Sequence, residues 1–349
     1  MKKYLVGGAV RDLILNREIN DRDYVVLNST PQELLEAGFV SVGQHFPVFL
    51  HPTTREEYAL ARREISTGNK TGDFKFEIEN VTLEEDLLRR DLTINAIAQD
   101  DNGTIIDPYN GRADIKTKTL RHVSIAFKED PLRIFRVARL SSQLNFHVAD
   151  ETIKLMKSMV EEGLADFIPV ERIKSEFDKA IMSKNFNNFT NVLRKIGLLK
   201  RLKKIFNISF NNYNFKNLDY ENRILKIVLK ELKLSKKSKN IFVDNKIIGQ
   251  KLFAYQNLII KLKSDFDDVN AYSFKNIALY HGNTYLVQLH KLISFKNSKF
   301  YKKLTNLVGL IDIINREIKH INLKNRSREE ILFEKELILR RNIILQPKW

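Results

Sequence analysis

Two aspartates one residue apart, Asp21 and Asp23, follow by a short spacer the run Tyr4-Leu5-Val6-Gly7-Gly8-Ala9-Val10-Arg11-Asp12. On an extended strand, residues i and i+2 share a face, so the two carboxylates aim together while Arg22 points away. Two convergent carboxylates suit Mg²⁺, which is commonly held by one or two carboxylates plus substrate phosphates. Gly7 and Gly8 let the backbone come close to a phosphate, and the N–H groups opening the next helix favour an anion. A glycine pair alone is ordinarily a tight turn, and an isolated Asp-x-Asp is ordinarily solvated. In this order, with Arg11 at the helix start, they describe a site for a nucleoside triphosphate and its metal.

Three further clusters carry charge where chemistry could use it. Arg89-Arg90-Asp91 stands immediately before the apolar run Leu92–Ala98. Arginine forks pair bidentately with phosphate oxygens, and an aspartate accepts bonds from ribose hydroxyls; a solvated pair before a core element is the alternative. Glu129-Asp130-Pro131-Leu132-Arg133 opens a segment in which Arg133, Arg136 and Arg139 recur every three residues. With Pro131 expected at the first helical position, they form a stripe that is costly unless it meets anions. Glu129, Asp130 and Arg133 also offer donors and acceptors to the edge of a base; a salt-bridged surface helix is the other reading. Glu171-Arg172-Ile173-Lys174-Ser175-Glu176 reads as a helix start that braces the preceding helix. His45, His51, His122 and His147 lack metal-ligand spacing, and Gly68–Gly72 with Lys70 lacks the Walker pattern and reads as a mobile loop.

The elements that must position these residues divide into two kinds. Strand-like runs at Tyr4–Val6, Asp23–Leu27, Val48–His51, Tyr58–Ala61, Thr93–Ala98 and Thr104–Ile106 predict a mixed sheet over about residues 1–120. Asp101-Asn102-Gly103 marks a hairpin, and Thr30 is a candidate cap for a helix over Pro31–Ala37. From Pro131 onward the apolar spacing is helical, through Ile153–Leu164, Pro169–Ile181, Tyr220–Leu234 and Leu304–Ile318. A chain of 349 residues is long for one core and predicts two to three domains.

Charge follows the same division. Residues 1–150 hold 20 Lys and Arg against 23 Asp and Glu, whereas the remainder hold 39 against 20, a net of +19. A basic rear surface could follow a phosphate backbone, although a codon bias toward Lys, Asn and Ile would give the same count. Zero cysteines exclude disulfides, thiolate metal sites and cysteine nucleophiles, and fit a reducing cytoplasm. No apolar run reaches the roughly 18 residues of a membrane span, and no signal peptide is apparent.

Taken together, the motifs resemble those of class II nucleotidyltransferases of the polymerase-β superfamily, and specifically of bacterial tRNA CCA-adding enzymes. The resemblance covers about residues 1–185. It rests on Gly7-Gly8-x-x-Arg11-Asp12, Asp21-x-Asp23, Arg89-Arg90-Asp91 with Asn95-Ala96, and Asp107-Pro108-Tyr109-Asn110-Gly111. Asp114-Ile115, Leu120-Arg121, Glu129-Asp130-x-x-Arg133 and Glu171-Arg172-Ile173-x-x-Glu176 complete the set. It implies an α+β fold: a polymerase-β-like head at 1–125, a helical neck at 126–185 and a basic all-α body and tail at 186–349.

It also implies roles for residues. Asp21 and Asp23 would bind Mg²⁺ and carry catalysis; Gly8 and Arg11 would contact the triphosphate; Arg90 and Asp91 would contact phosphate or ribose. Glu129, Asp130 and Arg133 would pair with the base of CTP or ATP, Arg136 and Arg139 would add nucleotide contacts, and Glu64–Asp86 would be a flexible loop. The implied activity is untemplated addition of CCA to the 3′ end of tRNA from CTP and ATP, in the cytoplasm, by a monomer. A poly(A) polymerase, an enzyme adding only CC or only A, and a non-catalytic RNA-binding protein on the same fold remain the alternatives. Relatives carry a phosphohydrolase domain marked by a His-Asp dipeptide. This sequence holds none, so that activity is not expected of it.

Overall fold

A computed structural model of the chain describes residues 2–42, 48–66, 74–206 and 218–231, with positions 213, 215 and a scatter between 305 and 338. It divides into two units, Met1–Arg201 and Leu202–Trp349. The boundaries expected near 125 and 185 both fall inside the first.

The first unit is built on a seven-stranded sheet in the order β3-β4-β5-β2-β1-β8-β9. Its strands are β1 (Lys2–Val6), β2 (Asp23–Leu27), β3 (Val40–Val42), β4 (Val48–Leu50), β5 (Glu57–Leu60), β8 (Ala98–Gln99) and β9 (Ile105–Ile106). All pairings are antiparallel except β2 with β5, so the sheet is mixed, as the pattern predicts. β6 (Arg63–Ser66) and β7 (Phe74–Glu77) form a separate antiparallel pair. Much of the segment expected to be a flexible loop is therefore regular structure, and its Gly68–Gly72 portion lies outside the described residues.

The first helix, α1 (Gly8–Ile14), follows β1 directly through Gly7. Gly7 has φ of +72°, a region only glycine enters at low cost, and a Cβ there would sit 3.0 Å from Nη1 of Arg90. α2 (Pro31–Glu36) starts as predicted: Thr30 and Glu33 form a reciprocal capping box with proline in the first turn. α3 (Leu83–Leu88) uses the same device, Thr82 with Glu85. Two apolar clusters pack against the sheet, one around Val6, Val25, Leu87 and Ala98, the other around Val26, Leu34, Phe49 and Tyr58.

The predicted strand over Thr93–Ala98 is instead a 3-10 turn at Thr93–Asn95 that leads into β8. The reason is local. Thr93 donates to Asp114 at 2.7 Å and Asn95 donates to Asp91 at 3.0 Å, so short polar side chains bond nearby groups and a strand ladder loses. Asp114 lies on α4 (Gly111–Thr117), where a Cβ on Gly111 would stand 2.2 Å from the Thr93 carbonyl. Only glycine lets helix and turn meet this closely.

Helices follow. α5 (Arg133–Leu144) begins two residues after Pro131 rather than on it, because Asp130 caps Leu132 N with its carboxylate at 3.1 Å and turns the chain first. β10 (Thr119–Leu120) and β11 (His147–Val148) pair in parallel and fasten α4 to the end of α5. α6 (Asp150–Glu161) and α7 (Val170–Ile181) come next, separated by a 3-10 turn at Leu164–Phe167 that ends α6 short of Leu164. α8 (Phe186–Lys195) and α9 (Leu199–Phe206) extend the helical run. Phe177, Phe186 and Phe189 are buried together, each worth about 1.5–3 kcal/mol of burial.

In the second unit, α10 (Tyr220–Glu231) matches the predicted helix, and helical residues recur between 305 and 338, where Ile314, Ile318 and Ile338 are buried. Ser327 and Glu330 form another capping box there.

Candidate active site

The sheet brings the paired carboxylates to one corner. Asp23 is the first residue of β2, opposite Val6 of β1 and Glu57 of β5, and Asp21 lies just before the strand rather than on it. Glu57 was not singled out from the sequence. Its signal is only the register that the parallel β2–β5 pairing imposes, which a single sequence does not print.

The three carboxylates make no hydrogen bond or ion pair among the described residues, and Asp21 bears on Asp23 while both bear on Glu57. Asp23 is exposed over part of its surface, yet burial of the remainder pushes its carboxyl up. Arg90 pulls it back down, Asp21 adds to the rise, and Arg136 opposes it. Burial, then Asp23 and Asp21, raise the carboxyl of Glu57. Like charges so placed are relieved by a cation.

Across from this corner stands a wall of arginines set by α3 and the turn after it. Asp86 is fully buried and accepts from Arg89 at 2.6 Å and from Arg90 at 3.1 Å. Burial alone would raise its carboxyl, but the two guanidinium groups outweigh that and hold it below the usual range. Arg90 is thereby laid against Gly7, and its buried Nε has no partner. Arg11 folds back over Gly8, grips Asp12 through Nε and Nη2 at 3.0 and 2.8 Å, and reaches Asn95 through Nη1 at 2.8 Å.

Asp91 is 6% exposed and nearly saturated. One carboxylate oxygen accepts from Leu92 N and Asn95, the other from Nε of Arg136 at 2.8 Å. Burial opposes ionisation, yet Arg136, Asn95 and Arg133 hold the carboxyl far below its ordinary value. Asp91 in turn drives the Arg136 guanidinium upward against its own burial.

The residues expected to read a base are held by different partners. Arg133 is nearly buried and donates to the Ala126 carbonyl at 2.7 Å, while Asp130 accepts from Arg172 of α7 at 3.1 Å. Glu129 ends the 3-10 turn at Ile125–Glu129 just before them. Arg139 points into the α5–α7 seam, where it meets Glu176 at 2.5 Å. The bracing role expected for the Arg172–Glu176 segment is therefore visible: Arg172 holds Asp130, and Glu176 holds Arg139.

The fold is an α+β head, a mixed sheet backed by helices, followed by further helices. Residues 3–121 match the poly A polymerase head domain, and residues 145–208 match the probable RNA and SrmB-binding site of polymerase A. A 214-residue stretch is 53% identical to the multifunctional CCA protein of Teredinibacter turnerae, covering 60% of this chain and 52% of that protein. The chain thus matches about half the length of this curated relative. Among solved structures, the CCA-adding enzyme of Bacillus stearothermophilus in complex with CTP superposes with a TM-score of 0.59 at 22% identity, over 99% of this chain and 89% of that one. A tRNA-processing enzyme gives 0.63 at 24% identity, over 97% and 96%. At such identities these two establish the fold.

Proposed function

We propose that this chain is a CCA tRNA nucleotidyltransferase, adding C, C and A to the 3′ end of tRNA from CTP and ATP and releasing pyrophosphate. The observation that carries the reading is the corner where Asp23 starts β2 beside Glu57 of β5, with Asp21 just before it, none of the three in an ion pair among the described residues, and Arg90 laid against Gly7.

That corner fits Mg²⁺ by its chemistry: hard oxygen donors whose carboxyls, at Asp23 and Glu57, are raised first by burial and then by neighbouring carboxylates. Among the described residues no three His, Asp or Glu side chains could hold an ion by themselves, in keeping with a site that substrate phosphates complete. Asp21 and Asp23 would hold the metal, with Glu57 beside them. When bound, such ions acidify an attacking hydroxyl and neutralise a departing pyrophosphate.

The chain's own groups do the rest. The Gly7–Gly8 backbone and Arg90, with its unpartnered Nε, receive the triphosphate; Arg11, spanning Gly8 and Asn95, closes the turn around it. Asp91 keeps one acceptor position for a ribose hydroxyl because Arg136 and Asn95 fix the carboxylate's other contacts. Glu129, Asp130 and Arg133 present the base-reading edge, and rejection of wrong bases follows from leaving such buried donors unpaired. Arg139 acts here as a brace to α7, with the nucleotide contact expected of it made through α5. The RNA is held by the basic helices through backbone and shape. We place the enzyme in the cytoplasm as a monomer; no helix among the described residues is long and apolar enough to cross a membrane.

The head-domain family favours a second reading, a poly(A) polymerase, and a CC- or A-adding enzyme is a third. Extension of tRNA ending at the discriminator base, with CTP, ATP or both at single-nucleotide resolution, separates them. Three additions that need both nucleotides, followed by a stop, are expected. A long ladder with ATP alone, or arrest after two C residues, overturns the reading.

A further inference from the structure

Asn95 is buried between two residues that serve different ends of the nucleotide, and it bonds both. Its Oδ1 accepts from Nη1 of Arg11 at 2.8 Å, and its Nδ2 donates to Oδ1 of Asp91 at 3.0 Å. Few side chains could fill this place. A guanidinium only donates and a carboxylate only accepts, so the group between them must accept on one side and donate on the other. An amide does both from one plane, and its partners fix which end is oxygen. An aspartate would repel Asp91, and a lysine would repel Arg11.

The 3-10 turn at Thr93–Asn95 brings the amide into place. On a strand, Asp91 and Asn95 would stand about 13 Å apart, four residues at ~3.3 Å each. The turn, closed by Asn95 N on the Leu92 carbonyl at 2.9 Å, puts their side chains in contact instead. It also carries the Asn95 carbonyl to 3.9 Å from where a Cβ on Gly7 would sit, so turn and glycine pair pack together. Arg11 is held on its own side by a fork on Asp12 through Nε and Nη2, which leaves Nη1 to reach Asn95. Asp91 is held on the other by Leu92 N and by Arg136. Burial works against its charge, and Arg136 and then the Asn95 bond outweigh it.

We propose that Asn95 is a positioning residue that couples the grip of Arg11 on the triphosphate to the choice of ribose at Asp91. Preference for a ribonucleotide over its 2′-deoxy form then depends on both partners of one amide. Removing Arg11 frees the Asn95 oxygen, lets the amide turn, and loosens the carboxylate that meets the ribose hydroxyl, although Arg11 itself serves the phosphates. This rests on the reading that the site takes a ribonucleoside triphosphate, but not on which nucleotides are added.

The test is binding of CTP and of ATP, each against its 2′-deoxy form, to the full chain with Mg²⁺ by titration calorimetry, alongside the matching kcat/KM ratios for extension. Asn95→Leu, of similar volume, should lower the ribo-to-deoxy ratio about tenfold, the scale of one hydrogen bond to a charged group. Asn95→Asp keeps an acceptor for Arg11 and loses the donor to Asp91, so it should lower the ratio as far while triphosphate affinity falls less. Arg11→Met should lower the ratio about threefold or more, and combined with Asn95→Leu it should lower it no further, because both act through one amide. Each ratio compares two ligands on one sample, so a variant that folds only in part still reports it. An unchanged ratio in Arg11→Met, additive losses in the double variant, or a wild type without preference in either measurement would overturn the proposal. A wild type that prefers the ribonucleotide in binding yet adds none to RNA removes the enzymatic reading, while the binding ratios still decide the coupling.

Discussion

The carboxylate corner and the arginine wall are neighbours with opposite electrostatics. At the corner, Asp21, Asp23 and Glu57 crowd one another and two of them are pushed toward the protonated form. In the wall every carboxylate has an arginine: Asp86 with Arg89 and Arg90, Asp91 with Arg136, Asp130 with Arg172, Glu176 with Arg139. Buried ion pairs add little net stability, but breaking one strands a charge. The wall therefore spends its charges on geometry, and the corner keeps its charges unspent for a ligand. On the proposed function, unbalanced charge marks the chemistry and balanced charge marks what aims it.

The largest effect should break the corner. Asp23→Ala should lower the rate of incorporation by at least about a thousandfold, the scale seen when a preorganised electrostatic group is removed. RNA affinity should stay within a factor of about two, since a lost phosphate contact changes binding through salt-dependent terms that this site does not supply. Near-normal turnover would mean that the corner is ordinary surface. The wall should fail differently. Asp86→Ala leaves two guanidinium groups beside a buried gap, and about 3 kcal/mol should be lost in denaturant unfolding. Arg89→Ala, which leaves Asp86 its bonds to Arg90 and to the Arg62 backbone N–H, should cost less. If Asp86→Ala unfolds at the wild-type denaturant midpoint, the wall is not holding the head together.

How much of this the sequence carried depends on whether a residue's role is local. The Gly7–Gly8 turn, the Thr30 cap and the strand holding Asp23 depend on neighbours within a few residues, and all were legible. Thr93–Ala98 read as a strand because Thr, Ile and Ala fit one, yet Asp114 and Asp91, distant or polar neighbours, captured its side chains. Glu57 could not be seen because its meeting with Asp23 is set by a parallel pairing across 34 residues. Arg139 reads as one more nucleotide contact in a stripe of three; only α7 shows that its Nε also holds Glu176. Periodicity placed the arginines on one helix, and partners from other elements divided their labour.

Smaller effects should sharpen that division along α5. Arg133→Ala should reduce discrimination between CTP and ATP by roughly 1–3 kcal/mol, the scale of one good bidentate base contact, measured as the ratio of their kcat/KM values. Arg139→Lys, at the Glu176 brace, should leave that ratio unchanged and lower thermal stability instead. An equal loss of discrimination in both variants would erase the distinction between reader and brace.

The smallest effect belongs to Asp91 and Arg136, and its sign is fixed by the direction of the shift. The Asp91 carboxyl is held far below its unfolded value, so its pairing contributes stability that is complete above the ordinary carboxylate range. That contribution is lost as pH falls below about 4, the ordinary Asp value, toward the depressed value of the folded state. Because the Arg136 side chain is 40% exposed, solvent screens the pair and its contribution should be about 1 kcal/mol. Unfolding of wild type and Arg136→Gln followed from pH 7 to pH 3 should therefore show a constant gap down to about pH 4 that narrows below it. A gap that widens with acid would mean that Asp91 is protonated in the folded head, and then neither the pair nor the single acceptor left for a ribose hydroxyl stands.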